Sequence, residues 1–171
     1  SEIKQLEPGH ILKIDLGGAT LSSQLERWWW PSIEERPAQS LEDAAEEMRE
    51  LFLASVKRQL RSDVPLGAAL SGGVDSSAIV CAMRHLEPDM PIHTFSYVAR
   101  GSALNEQEWC EMVIDHTGSI AHWTGDPPGE LSADLDDIII AQGEPFGSTS
   151  IAAQYQVFQL ASEKGITVTL D

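Results

Sequence analysis

Residues Ser71-Gly72-Gly73-Val74-Asp75-Ser76-Ser77 gather three hydroxyls, two adjacent glycines and one carboxylate into one short run. An apolar stretch, Val64–Leu70, leads into the glycines and is too short for a surface helix. A helical pattern follows through Ala78, Ile79, Val80, Ala82 and Met83. Strand, glycine turn and helix start together aim unpaired backbone N–H groups and the positive helix end at one point, which suits a phosphate. Glycines let the backbone approach the anion with no Cβ in the way. Ser71, Ser76 and Ser77 add hydroxyl donors, and Asp75 suits such a site when a cation such as Mg²⁺ lies between carboxylate and phosphate. An ordinary glycine turn is the competing reading. Having a strand and a helix on the correct sides favours the phosphate site.

The run has no lysine, so it is not GxxxxGK[ST], and it is not GxGxxG either. It resembles the pyrophosphate-binding loop, SGGxDS, of the ATP pyrophosphatases, which cleave ATP between the α- and β-phosphates.

Other elements must hold such a loop in place. Ser40, with Asp43 three residues on, predicts a helix start, and Leu41, Ala44, Ala45, Met48, Leu51, Phe52 and Val56 give it an apolar stripe to about Arg61. Strands are predicted at 64–70, 91–98, 119–123 and 166–170. Helices are predicted at 76–85, from an Asn105 cap to Thr117 with a stop at Gly118, around Leu131, Leu135, Ile138 and Ile139, and from Ser148–Ser150 to Lys164. Asp126-Pro127-Pro128-Gly129 reads as a loop. Alternation of this kind predicts an α/β fold, a parallel sheet with helices on both faces. Right-handed crossovers make 3-2-1-4 the simplest order of those four strands, with a ligand crevice beyond the C-terminal ends of strands 1 and 4. Residues 1–37 read differently. A strand near Ile11–Leu16, a Gly17-Gly18 turn and a return strand at Leu25–Trp30 predict a short β segment, and Pro31 and Pro37 bracket a linker. Trp28-Trp29-Trp30 is expected to dock that connector onto a neighbouring surface.

Composition narrows the partners. Lys+Arg 11 against Asp+Glu 27 gives a net charge of −16 with no basic run to interrupt the acidity, so a polynucleotide, which needs cations to neutralise its phosphates, is not the expected substrate. The two cysteines, Cys81 and Cys110, have no metal-like spacing and read as buried free thiols. With no signal peptide and no long apolar span, the expected setting is cytoplasmic and away from membranes. Asp134, Asp136 and Asp137 are expected to face solvent from a helix, while Glu144, beside Pro145 and Gly147, is a candidate to face an acceptor substrate.

Val-Pro-Leu-Gly ahead of the glycine loop, then His93-Thr94-Phe95-Ser96, Asn105-Glu106, Glu144-Pro145-Phe146 and Ile-Thr-Val-Thr-Leu-Asp at 166–171, resemble the synthetase domain of the glutamine-hydrolysing asparagine synthetases. Pro8-Gly9-His10 and the aromatic cluster resemble the end of that family's glutaminase domain and its linker. The resemblance implies a Rossmann-like fold of the adenine nucleotide alpha hydrolase type over 38–171, truncated, behind a glutaminase remnant and linker at 1–37. It implies ATP and Mg²⁺, with AMP transferred to the aspartate side-chain carboxylate, pyrophosphate released, and glutamine-derived ammonia attacking the acyl adenylate. Ser71, Gly72, Gly73, Asp75, Ser76 and Ser77 would hold pyrophosphate, with Asp75 sharing Mg²⁺ and serving as the catalytic carboxylate. Leu70 and the backbone of Tyr97 would meet adenine, Tyr97 standing where the family usually has a smaller aliphatic residue. Asp171 stands where the family has the serine that opens a second, acidic loop. The expected partners are these small molecules and, at most, a second copy in a homodimer.

The family's N-terminal cysteine nucleophile, its second acidic loop and a late lysine are not in this sequence. The chain therefore reads as part of a longer protein, expected alone to bind ATP·Mg²⁺ weakly without turnover. β-Lactam synthetases and lasso-peptide cyclases resemble the same fold and use intramolecular amines. A nucleotide-binding module without chemistry is the reading from another class.

Overall fold

The structure, a computed structural model, describes residues 3–18, 20–35, 39–99, 101, 105–125, 135–144, 146–148 and 150–171. It divides into two compact units, Ser1–Leu41 and Glu42–Asp171.

In the first unit, β1 (His10–Asp15) and β2 (Ser22–Arg27) pair antiparallel, with His10 opposite Arg27 and Asp15 opposite Ser22. The return strand thus starts earlier than Leu25 and ends before the tryptophans. Lys13 and Glu26 pair diagonally across the two strands, Nζ to Oε2 2.6 Å, and this cation holds the Glu26 carboxyl below its usual range. Trp28, Trp29 and Trp30 are 64%, 55% and 63% exposed. The backbone of the segment is what anchors it, through Trp28 and Trp29 N–H groups donating to the Gly9 carbonyl, and the Arg27 guanidinium lies 4.8 Å over the Trp30 ring.

The second unit holds a four-stranded parallel sheet built from β3 (Leu66–Ala69), β4 (His93–Tyr97), β5 (Ile120–Thr124) and β6 (Val168–Leu170), in the order β5-β4-β3-β6. That is the order expected from right-handed crossovers. The helices are α1 (Leu41–Gln59), α2 (Val74–Leu86), α3 (Gln107–Thr117), α4 (Leu135–Gln142) and α5 (Ser150–Glu163). The strand period of two sorts the sheet residues between two cores. Leu66, Ala68 and Leu70 pack with Val56, Val80, Met83 and Cys110 from α1, α2 and α3 on one face. Phe95 packs with Val157, Ala161 and Ile166 from and after α5 on the other, with Ala69 and Tyr97 against it. Gly67 lets that second layer come close, because a Cβ there would stand 2.8 Å from the Phe95 ring and 3.0 Å from Ile166.

Element ends moved by a residue or two. The first core strand loses Val64 and Pro65, and Val64 is 44% exposed. Helix α2 begins at Val74 rather than Ser76, so Asp75, Ser76 and Ser77 belong to its first turn. Glu106, not Asn105, is the N-cap of α3. Asn105 instead accepts from the Gln107 N–H through its side chain, an Asx turn one residue before the helix. The stop at Gly118 forms as expected, its N–H donating to the Ile114 carbonyl. Cys110 is buried, whereas Cys81 is only half-buried, and both are free thiols.

Arg84, in the last turn of α2, ties three segments together. Its Nε donates to the Thr117 carbonyl at 2.6 Å, and Nη1 donates to the carbonyls of Pro88 at 2.6 Å and Met90 at 2.9 Å. The last carbonyls of α3 and the approach to β4 thereby gain a charged donor.

Candidate functional site

β3 ends at Ala69, and the chain then turns through the glycine loop into α2. Gly72 has φ +82, the left-handed region that favours glycine. It also lies against the start of α3, where a Cβ would sit 2.9 Å from Trp109 Cβ and 3.0 Å from the Glu106 carbonyl oxygen. Conformation and contact both require glycine at this corner.

Hydroxyls complete the turn. The Ser71 N–H donates to Ser76 Oγ at 3.2 Å, and the two hydroxyl oxygens lie 3.0 Å apart. Gly73 N–H donates to Ser71 Oγ and Ser76 Oγ donates to the Gly73 carbonyl, both at 3.3 Å. The first intrahelical bond of α2 is Ser77 N–H to the Gly73 carbonyl, 3.1 Å. The N–H groups of Val74, Asp75 and Ser76 precede that bond and belong to the unpaired helix start. Asp75 is exposed in this turn, and Ser76 and Ser77 are half-buried.

Beside the loop is a cleft of about 510 Å³. The ends of β3 and β4 form its floor through Ala69, Leu70, Ser71, Phe95 and Tyr97, and α5 walls it with Ser150, Ala153, Gln154 and Val157, while Glu106 stands at its rim. Of the expected site residues, Leu70, Ser71 and Tyr97 line this cleft. Gly72, Gly73, Asp75, Ser76 and Ser77 form the adjoining loop and helix turn. Asp171 follows β6, and its Oδ1 accepts from the Ala69 N–H at 3.3 Å rather than lining the cleft. The space therefore opens over β3 and β4 on the α5 face, not between β3 and β6 as the strand order alone suggested. Glu144 is exposed and does not line it, and Pro145 lies outside the described residues.

The α5 wall was missed in the sequence, although Ser150, Ala153, Gln154 and Val157 recur at helical spacing and could have been read as one face. Among the described residues no three His, Cys, Asp or Glu side chains come together to hold a metal. Asp75, exposed at the start of α2, is a carboxylate that could share a divalent ion with an anionic ligand, the manner in which Mg²⁺ is commonly held. Asp136 and Asp137 are exposed in the first turn of α4, where the helix dipole favours them, and Asp134 lies outside the described residues. No helix among the described residues is long and apolar enough to cross a membrane.

The family model described as asparagine synthase matches residues 47–171. The chain is 32% identical over 143 residues to the putative glutamine-hydrolyzing asparagine synthetase 2 of Methanocaldococcus jannaschii, covering 84% of this chain and 27% of that protein. It is 37% identical over 175 residues to the glutamine-hydrolyzing asparagine synthetase 1 of Bacillus subtilis, covering 99% and 26%. Among solved structures, the NH3-dependent NAD synthetase of Campylobacter jejuni aligns with a TM-score of 0.45 at 19% identity, over 78% of this chain and 56% of that one. The chain spans about a quarter of the length of the curated relatives it matches. With the family model covering both the glycine loop and the whole parallel sheet, this chain belongs to the asparagine synthase family.

Proposed function

We infer that this chain carries the nucleotide site of an ATP-dependent amide synthetase, which adenylates the aspartate side-chain carboxylate, releases pyrophosphate and amidates the product with glutamine-derived ammonia. The observation that carries this reading is the loop at the end of β3: two glycines, three hydroxyls and an unpaired helix start beside a cleft of nucleoside size. In this reading adenosine occupies the cleft between Leu70, Tyr97 and α5, and the β- and γ-phosphates meet Ser71–Ser77. A carboxylate is a poor acyl donor until it has a good leaving group, and adenylation supplies one. The work left to the loop is electrostatic. Its N–H groups and hydroxyls, already oriented, meet charge as it develops on pyrophosphate, and no side-chain nucleophile is needed. Asp75 would hold Mg²⁺, which when bound neutralises phosphate charge. Residues 1–37 form the end of a glutaminase domain and its linker, and 38–171 the first part of the synthetase domain. Asp171 opens the second loop of the site, held against β3 by its bond to Ala69.

The test uses the full-length protein carrying these residues, supplied with ATP, Mg²⁺, aspartate and ammonium. AMP and asparagine appearing one for one, with loss of at least about a hundredfold in Asp75→Ala, are expected for a group that stabilises developing charge. ADP in place of AMP would contradict the reading, and AMP without asparagine would replace aspartate by another acceptor carboxylate, as in the intramolecular cyclases.

A further inference from the structure

Beneath the glycine loop lies a buried thiol to which the reaction assigns nothing. Cys110, in α3, is 2% exposed, and its Sγ donates to the Leu70 carbonyl at 3.3 Å. Burial raises this thiol above its ordinary value, and a hydrogen bond from Ser96, itself buried in β4, partly offsets the rise. The thiol stays protonated and remains a donor.

The acceptor is what gives this contact reach. The Leu70 carbonyl and the Ser71 N–H belong to one rigid peptide plane. Holding the carbonyl toward α3 directs the N–H the opposite way, onto Ser76 Oγ. Ser76 Oγ in turn meets Ser71 Oγ and the Gly73 carbonyl. The preceding peptide plane, Ala69–Leu70, is fixed by the ladder, where the Leu70 N–H donates to the Phe95 carbonyl at 2.9 Å. The backbone of α3 also comes close to the loop here, since Cys110 N lies 3.4 Å from where a Gly72 Cβ would be.

We propose that Cys110 is a positioning residue for the anion loop, setting the Leu70–Ser71 peptide plane and through it the Ser71 and Ser76 hydroxyls that face the β- and γ-phosphates. Without the S–H donor that plane can rotate, and the loop must be ordered by the ligand itself at the expense of binding. The effect should fall on the phosphates that the loop holds and spare the nucleoside in the cleft. This inference rests on the nucleotide reading of the site.

Equilibrium binding of ATP·Mg²⁺ and of AMP to the full-length protein separates the two ideas. Cys110→Ala should weaken ATP about tenfold while AMP changes less than about twofold, and Cys110→Ser, which keeps a donor, should recover most of the loss. Ser96→Ala, which leaves the thiol in place but removes its own donor, should give a smaller loss with the same ATP-over-AMP bias. It serves as the independent variant if Cys110→Ala does not fold. Equal losses for ATP and AMP, or no loss for ATP, would overturn the positioning role while leaving the nucleotide site intact. A wild-type protein that binds ATP no more tightly than AMP would overturn the nucleotide reading, and this inference with it.

Discussion

Gly72 shows how narrowly a residue can be specified. Its φ of +82 and the 2.9 Å approach to Trp109 Cβ leave no room for a side chain, so Gly72→Ala should cost about 1–3 kcal/mol in strain alone. Because the displaced loop is the one we assign to phosphate, ATP affinity should fall alongside the urea midpoint. A variant of unchanged stability would mean that the corner is looser than its geometry. The sequence made Gly72 and Gly73 legible because glycine is written as a letter. It marked Cys110 as a buried thiol but could not reveal its partner, a backbone carbonyl forty residues away in the chain.

His93 and His122 make a second residue-scale prediction. Nδ1 of His93 and Nε2 of His122 lie 2.9 Å apart, the rings are parallel to within 1°, and His122 also stacks on Phe95. Burial first, then His93 and Lys164, hold His122 below its ordinary 6.5. As pH falls the unfolded chain takes up this proton before the folded one. The stability His122 provides is therefore full above 6.5 and is lost as pH drops below it toward the folded value. Urea midpoints across that range should decline in the wild type and decline less in His122→Gln. Parallel slopes for the two would contradict it.

At the scale of elements, Arg84 is the cleanest test. One guanidinium satisfies carbonyls at the end of α3 and along the approach to β4. Arg84→Ala leaves the half-buried ones without a charged donor and should lower stability by about 2 kcal/mol, after allowance for the exposed contacts. Arg84→Lys, unable to reach three carbonyls at fixed angles, should recover only part of it. Equilibrium unfolding of both variants would settle the comparison, and a wild-type midpoint in Arg84→Ala would remove the clamp from the account. Elements were legible wherever apolar periodicity was long, as in α1 and α5. Their ends were not, since Val64 and Pro65 read as strand by composition yet lie outside the ladder, where Val64 is open to solvent. The same limit hid the α5 wall of the cleft, because facing depends on which side of the sheet the helix lands.

Over the whole molecule, the strand order β5-β4-β3-β6 followed from handedness, while the position of the cleft over β3 and β4 did not. The difference lies in α5, which packs on β4 and closes one side of the sheet end. The net charge of −16 has a consequence at this scale too. An acidic surface repels a polyanionic ligand at long range, so a local cradle of N–H groups, hydroxyls and a bridging cation must overcome that field, and ATP affinity should tighten as monovalent salt rises from low values. Weakening with salt from the start would contradict this expectation.

The account turns on whether Ser71–Ser77 holds pyrophosphate. The most direct measurement is a titration of magnesium pyrophosphate into the full-length protein labelled with ¹⁵N-glycine. The amide resonances of Gly72 and Gly73 should shift with saturation, while Gly118 and Gly165, at the far ends of α3 and α5, stay in place. Saturable binding that leaves Gly72 and Gly73 unmoved would contradict the central claim.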